Sequence, residues 1–157
     1  MSAGGDGLIA RYREEGVQRV KLGICDVDGV LRGKYISLDK FASIAEGTSG
    51  FCDCVLGWDV DDQLYDNATI TGWHTAFPDA AYRLDLDSER RLADEGGVPF
   101  FLGQFVGADG GLHPVCPRSR LAKVLGDAES LGLLAKLGFE YEFFVFRETA
   151  QSARDKH

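Results

Sequence analysis

No apolar run in the 157 residues approaches the roughly 18 that a helix needs to cross a membrane. The opening MSAGGDGLIARYREEG has no basic region followed by an apolar one, so it does not read as a secretory signal. Bases are also short, with 17 Lys and Arg against 25 Asp and Glu and a net charge of −8. A non-specific phosphate-backbone binder needs a basic surface, so nucleic acid is excluded as a partner. Cysteine is limited to Cys25, Cys52, Cys54 and Cys116. Cys52 and Cys54 make one C-x-C with no second pair at zinc-knuckle spacing, and the four outline no disulfide framework. They read as free thiols packed as small hydrophobes in a reducing compartment. There is no internal repeat and no low-complexity tract. With 45% hydrophobic residues the chain can bury a real core, so general disorder is excluded. These traits fit a cytoplasmic globular protein.

The patterning predicts a mixed set of elements. Leu8, Ile9 and Tyr12 share one face of a short helix that Gly16 can end. Val20, Leu22 and Ile24 alternate in a strand over 18–26, and a second strand over 30–37 follows the Asp28-Gly29 turn. Ser37 can cap a helix with Phe41, Ile44 and Ala45 on its apolar face. Residues 51–58 could form a strand, and 59–76 are polar, aromatic and loop-like. A loop of that length in a small domain is often functional. Strands are expected at 80–87 and 98–106. Pro117 can start a helix in which Leu121, Val124, Leu125, Ala128 and Leu131 line one face. An apolar strand, 137–146, follows, and then a polar, frayed end. The fold class is α+β, an antiparallel or mixed sheet domain followed by one further helix and strand.

Three places could carry chemistry. In the terminal strand, Glu140 and Glu142 at i and i+2 would point to one face, about 6.6 Å apart. Paired carboxylates in an apolar strand call for solvent, a counter-charge or cations, and Mg²⁺ or Mn²⁺ takes such oxygen ligands. A half-exposed strand with a polar outer face explains the same pattern. Second, ICDVDGVL at 24–31 resembles the first motif of haloacid-dehalogenase-type phosphatases, with Asp26 as nucleophile and Asp28 as acid/base. That family follows the motif with a helix, whereas LRGKYI alternates like a strand, so a β-hairpin is the competing reading. Third, Trp58, Asp59, Asp61 and Asp62, with Tyr65, Asp66, Trp73 and His74 nearby, form an acidic aromatic segment. It could hold a cation or an amine, or be a solvated loop.

Taken in order, these phrases resemble the amino-terminal part of the glutamine synthetase family. The matching stretches are DVDGVLRGKYI at 26–36, GWD at 57–59, PDAAYRLDLD at 78–87, DGG and HPVCPR within 109–118, and GFEYEFFVF at 138–146. The resemblance spans about Val17 to Arg147. Its most specific part is the Pro-Arg helix start followed at this distance by G-x-E-x-E-F-F-x-F. R-G-K-Y is closer to relatives that join glutamate to organic amines.

The resemblance implies a β-grasp domain at 1–113 and the truncated start of a catalytic domain at 114–157. The implied activity is an ATP-dependent ligation of the glutamate γ-carboxylate to ammonia or an organic amine. It takes place between neighbouring subunits of a double ring, with two divalent ions, Mg²⁺ or Mn²⁺. By the match, Glu140 serves the ion nearer ATP and Glu142 the ion nearer glutamate. Asp59, aligned from the shared Pro-Asp at 78–79, is the catalytic candidate that holds and deprotonates the amine on a neighbouring subunit. The Gly-Ser stretch usual after this Asp is replaced by VDDQLYDN, which leaves ammonia and an organic amine both open. The family's remaining ligands and its nucleotide-binding elements lie beyond the first catalytic strand, so no ATP-binding residue is expected here. The chain alone is expected to be inactive and to associate with itself or with full-length homologous subunits. Two alternatives stand beside this reading: a non-catalytic β-grasp interaction module, and the phosphatase using Asp26 and Asp28.

Overall fold

The computed structural model describes residues 4–156. Its elements are α1 (Gly5–Glu14), β1 (Arg19–Cys25), β2 (Leu31–Ser37), α2 (Leu38–Ile44), β3 (Ser49–Cys52), β4 (Asp79–Leu92), β5 (Val98–Phe105), α3 (Pro117–Ser130) and α4 (Ala150–Arg154). The five strands form one sheet in the order β2-β1-β5-β4-β3. β1 runs parallel to β5, while β1 and β2, β4 and β5, and β3 and β4 pair antiparallel. The sheet is therefore mixed, and the α+β expectation holds.

Local signals explain the first hairpin. Val20, Leu22 and Ile24 are fully buried, as their alternation requires. The turn closes at Gly29, whose φ of +83° a side chain would resist. In β2, a Cβ at Gly33 would lie 2.2 Å from the Leu22 carbonyl oxygen, so this strand approaches β1 only because the residue is glycine. Ser37 then caps α2 by accepting the Lys40 amide at 3.2 Å.

The two helices lie on the buried face of β1 and β5. Tyr12, Phe41 and Phe101 form a continuous aromatic cluster, with ring centroids 5.8 Å apart for Tyr12–Phe41 and 5.1 Å for Phe41–Phe101. Each such buried ring contributes roughly 1.5–3 kcal/mol from removal of apolar surface. Tyr82 and Leu84 of β4 and Phe105 of β5 extend the same core. The Tyr12 hydroxyl donates to Glu89 at 2.7 Å, so its polar end is satisfied at the margin of the cluster.

Several expectations change. The stretch after Phe51 is strand only to Cys52, and Asp53–Leu56 is a 3-10 turn. β4 extends past residue 87 to Leu92 through a register shift between Asp85 and Arg90. Ser88 holds that shift, donating to the Asp85 carbonyl at 2.5 Å and accepting the Leu102 amide at 2.8 Å. α3 forms where expected, but Leu121, Val124, Leu125 and Leu131 are exposed. Its start is docked instead, with Ser119 donating to the Phe105 carbonyl and Arg118 paired with Asp85 at 2.6 Å.

The largest change is at 137–146, which is not a strand. Residues 133–146 have no regular structure, and Phe139, Tyr141, Phe143 and Phe144 are between 79% and 89% exposed. An extended segment becomes a strand only when another backbone takes its hydrogen bonds, and none of the described strands does. The polar end, expected to fray, instead forms α4. Thr149 accepts the Ser152 amide at 3.0 Å, and the Ser152 hydroxyl accepts the Thr149 amide at 2.9 Å, a capping box. No helix among the described residues is long and apolar enough to cross a membrane.

Candidate functional site

Asp59 sits on a small hairpin within the irregular stretch between β3 and β4. Trp58 bridges Leu64, the Asp59 amide donates to the Gln63 carbonyl at 3.0 Å, and the Tyr65 amide donates to Gly57 at 2.8 Å. Asp59 Oδ1 accepts the amides of Asp61 and Gln63, both at 2.9 Å, the local pattern that makes Asp a turn former. Asp62 closes the turn with a φ of +61°, a conformation Asp tolerates better than most residues. Among the described residues, Asp59 Oδ2 takes no hydrogen bond from protein, so one carboxylate oxygen stays available.

The hairpin is held to the sheet by Arg32 of β2. Its Nε donates to Asp26 Oδ2 at 2.8 Å, its Nη1 to Asp62 Oδ1 at 2.6 Å, and its Nη2 to the Asp59 carbonyl at 3.2 Å. The guanidinium carbon also lies 5.1 Å from the Trp58 ring centroid. The Asp26 carboxylate beside it, more than any other group, holds the Arg32 guanidinium above its ordinary value. Tyr65 adds a weaker tie, donating to Asp28 at 3.3 Å, and burial followed by the Asp28 charge pushes its phenol up.

Asp26 is fully buried, and its Oδ1 accepts the amides of Asp28 and Val30 at 3.0 and 2.8 Å. Both oxygens are thus occupied in shaping the β1–β2 turn and holding Arg32. Residues 31–37 are a strand antiparallel to β1, where the phosphatase motif would need a helix. The phosphatase reading of Asp26 and Asp28 is therefore withdrawn.

Glu140 and Glu142 lie exposed on the irregular segment and not side by side on a buried strand. Their carboxylates suit a hard divalent ion chemically, but no group of three His, Cys, Asp or Glu able to hold a metal occurs among the described residues. They form an incomplete donor set. No hydrogen bond among the described residues joins their segment to the Asp59 hairpin. Trp73 packs edge-on against Phe77 with centroids 5.2 Å apart, and His74 Nε2 lies 3.1 Å from the Thr69 carbonyl, so neither completes a cluster with Asp59.

The four cysteines are free thiols. Burial, followed by the neighbouring Cys52, pushes the Cys54 thiol up to about 12, which leaves it protonated and unreactive. The sequence reading missed the roles of Arg32 and Asp26. A charged residue in an otherwise half-exposed strand, six positions after an Asp at a strand end, was the available signal.

No family model matches the chain. It is 40% identical over 138 residues to type-1 glutamine synthetase 2 of Dictyostelium discoideum, a match covering 88% of this chain and 26% of that protein. It is 30% identical over 138 residues to the glutamate–isopropylamine ligase of a Pseudomonas species, covering 87% of this chain and 30% of that one. The cryo-EM structure of Plasmodium falciparum glutamine synthetase superposes with a TM-score of 0.61 at 13% identity, over 83% of this chain and 23% of that one, which establishes the fold. The chain thus spans between a quarter and a third of the length of the curated relatives it matches.

Proposed function

Because the chain carries the sequence and fold of the amino-terminal part of glutamine synthetase-family proteins, we propose that it serves a carbon–nitrogen ligase joining the glutamate γ-carboxylate to ammonia or an organic amine. The match to the Dictyostelium protein over 88% of this chain carries the reading. In this reading residues 1–113 are the β-grasp domain and 114–157 the start of the catalytic domain. Asp59 is the carboxylate that receives the incoming amine as its ammonium form. Its Oδ1 is engaged by two backbone amides, and the second oxygen is left to meet a cation. Glu140 and Glu142 each offer a carboxylate to Mg²⁺ or Mn²⁺, whose other ligands come from outside these residues. Those ions and ATP supply the phosphoryl chemistry when bound. The two relatives, one named a glutamine synthetase and one a glutamate–isopropylamine ligase, keep both ammonia and an organic amine as candidates. The free thiols fit the cytoplasm.

A chimaera tests the proposal. Residues 17–147 would replace the matching stretch of the Dictyostelium protein, and phosphate release from ATP would be followed with glutamate and a panel of amines. Turnover is expected, with Asp59→Asn raising KM for the amine and Glu142→Ala abolishing turnover. A folded chimaera that assembles but never turns over, with ammonia or any amine, would favour the second reading, a non-catalytic interaction module. The separately packed sheet core speaks for that alternative.

A further inference from the structure

We propose that Arg32 is the positioning residue of the Asp59 site, gripping the hairpin so that the free oxygen of Asp59 faces a fixed direction. This rests on the reading of Asp59 as the amine receiver and deepens it. The hairpin closes on its own hydrogen bonds, but it belongs to no strand of the sheet and Asp61 and Asp62 are exposed, so little else fixes it relative to the sheet. Arg32 supplies the hold from a rigid element. One donor is committed to a fully buried carboxylate, Asp26, which fixes where the guanidinium plane lies. The other two reach opposite sides of the same tight turn, the Asp62 side chain at 2.6 Å and the Asp59 carbonyl at 3.2 Å. The planar fork therefore reads both the start and the end of the Asp59–Asp62 turn. A point-charge lysine could meet only part of that set. The face of Trp58, next to Asp59 in the chain, lies against the same guanidinium, so the residue preceding the receiver is restrained as well.

An arginine that merely stabilised the fold would protect every amide alike. A positioning arginine protects the turn selectively. The test is residue-resolved hydrogen exchange on the 157-residue chain and its variants Arg32→Lys, Arg32→Met and Asp62→Asn. The amides to follow are those of Asp61 and Gln63, which bond Asp59 Oδ1, with Leu22 and Phe101 in the β1–β5 ladder as reference. Losing hydrogen bonds between charged groups predicts roughly tenfold or faster exchange at Asp61 and Gln63 in Arg32→Met, with the ladder unchanged. Arg32→Lys should fall between wild type and Arg32→Met. Asp62→Asn keeps the buried Asp26–Arg32 pair, so it folds even if Arg32→Met does not, and it should accelerate the same two amides severalfold. Exchange that is unchanged in Asp62→Asn, or that rises uniformly with the ladder, overturns the proposal. The chimaera separates this from the functional reading. An unchanged amine KM in the Asp59→Asn chimaera tells against Asp59 as amine receiver, whatever the exchange result. In a methylammonium titration followed by NMR at Asp59, an equal response in wild type and Arg32→Met tells against Arg32 as its positioner.

Discussion

The buried carboxylate of Asp26 accepts the Arg32 Nε–H at 2.8 Å across the same hairpin that both residues help to build. One pair therefore shapes the β1–β2 turn and anchors the loop that carries Asp59. Asp26→Ala would leave the Asp28 and Val30 amides unpaired and Arg32 without its buried partner. Removing one member of a buried pair is strongly destabilising, and because the Arg32 side chain keeps 19% of its exposure, solvent reduces the effect here. The expected loss is about 2–3 kcal/mol of unfolding free energy, read by urea denaturation, with the Asp59 hairpin loosened as well. A loss below about 0.5 kcal/mol, the range of ordinary surface changes, would show that the turn holds itself.

Stability should rise with pH through the histidine range. His113 Nδ1 accepts the amides of Val115 and Cys116 at 3.3 and 3.2 Å, ahead of α3. That arrangement needs the neutral ring, and burial pulls the His113 imidazolium below its ordinary value of 6.5, opposed in part by the charge of Asp53. The unfolded chain then binds more protons than the folded one between the lowered value and 6.5. The contribution is complete above 6.5 and is lost as pH falls through that window. Urea midpoints at several pH values from about 5 to 8 check it, and His113→Asn should flatten the slope relative to wild type.

The sequence made the local structure legible because its causes are local. Val20, Leu22 and Ile24 alternate, Asp28-Gly29 turns, Ser37 caps and Pro117 starts a helix, each within a few residues of its effect. The pairing of β1 with β5 and the reach of Arg32 to Asp59 and Asp62 depend on distant segments meeting, which no short pattern encodes. Asp59 stands out as a candidate only through a phrase-by-phrase resemblance, since an acidic loop alone has many uses. The segment around Glu140 was misread for a physical reason. Its composition favours a strand, but β-propensity expresses how well side chains pack on neighbours, and its aromatic side chains are largely exposed.

Phe101 lies at the centre of the aromatic cluster, against both Tyr12 and Phe41, and is fully buried. Phe101→Ala should cost about 3–5 kcal/mol, and Phe101→Leu, which leaves a smaller cavity, clearly less. Thermal melts of both variants check the order. Equal losses would mean that the cluster collapses around the vacancy.

The last expectation concerns residues 134–157. Leu134, Phe139, Tyr141, Phe143, Phe144, Val145 and Phe146 are all more than 70% exposed, and the apolar face of α3 stands open beside them in sequence. Apolar surface of this extent is far more than isolated exposed side chains present. The segment also has high β-propensity and lacks proline, so its free backbone can pair with another chain. The core, by contrast, is complete without it, since every residue of the buried cluster precedes Pro117. The 157-residue chain should therefore self-associate or be poorly soluble, while deletion of residues 134–157 leaves a folded monomer with a nearly unchanged melting temperature. Among the described residues the deletion removes no buried side chain, so little stability can be lost with it. Sedimentation and thermal melts of both proteins provide the check. A full chain that is monomeric at high concentration would show that the aromatic segment does not drive association. A deletion variant that unfolds would show that the sheet domain depends on residues it does not touch in this structure.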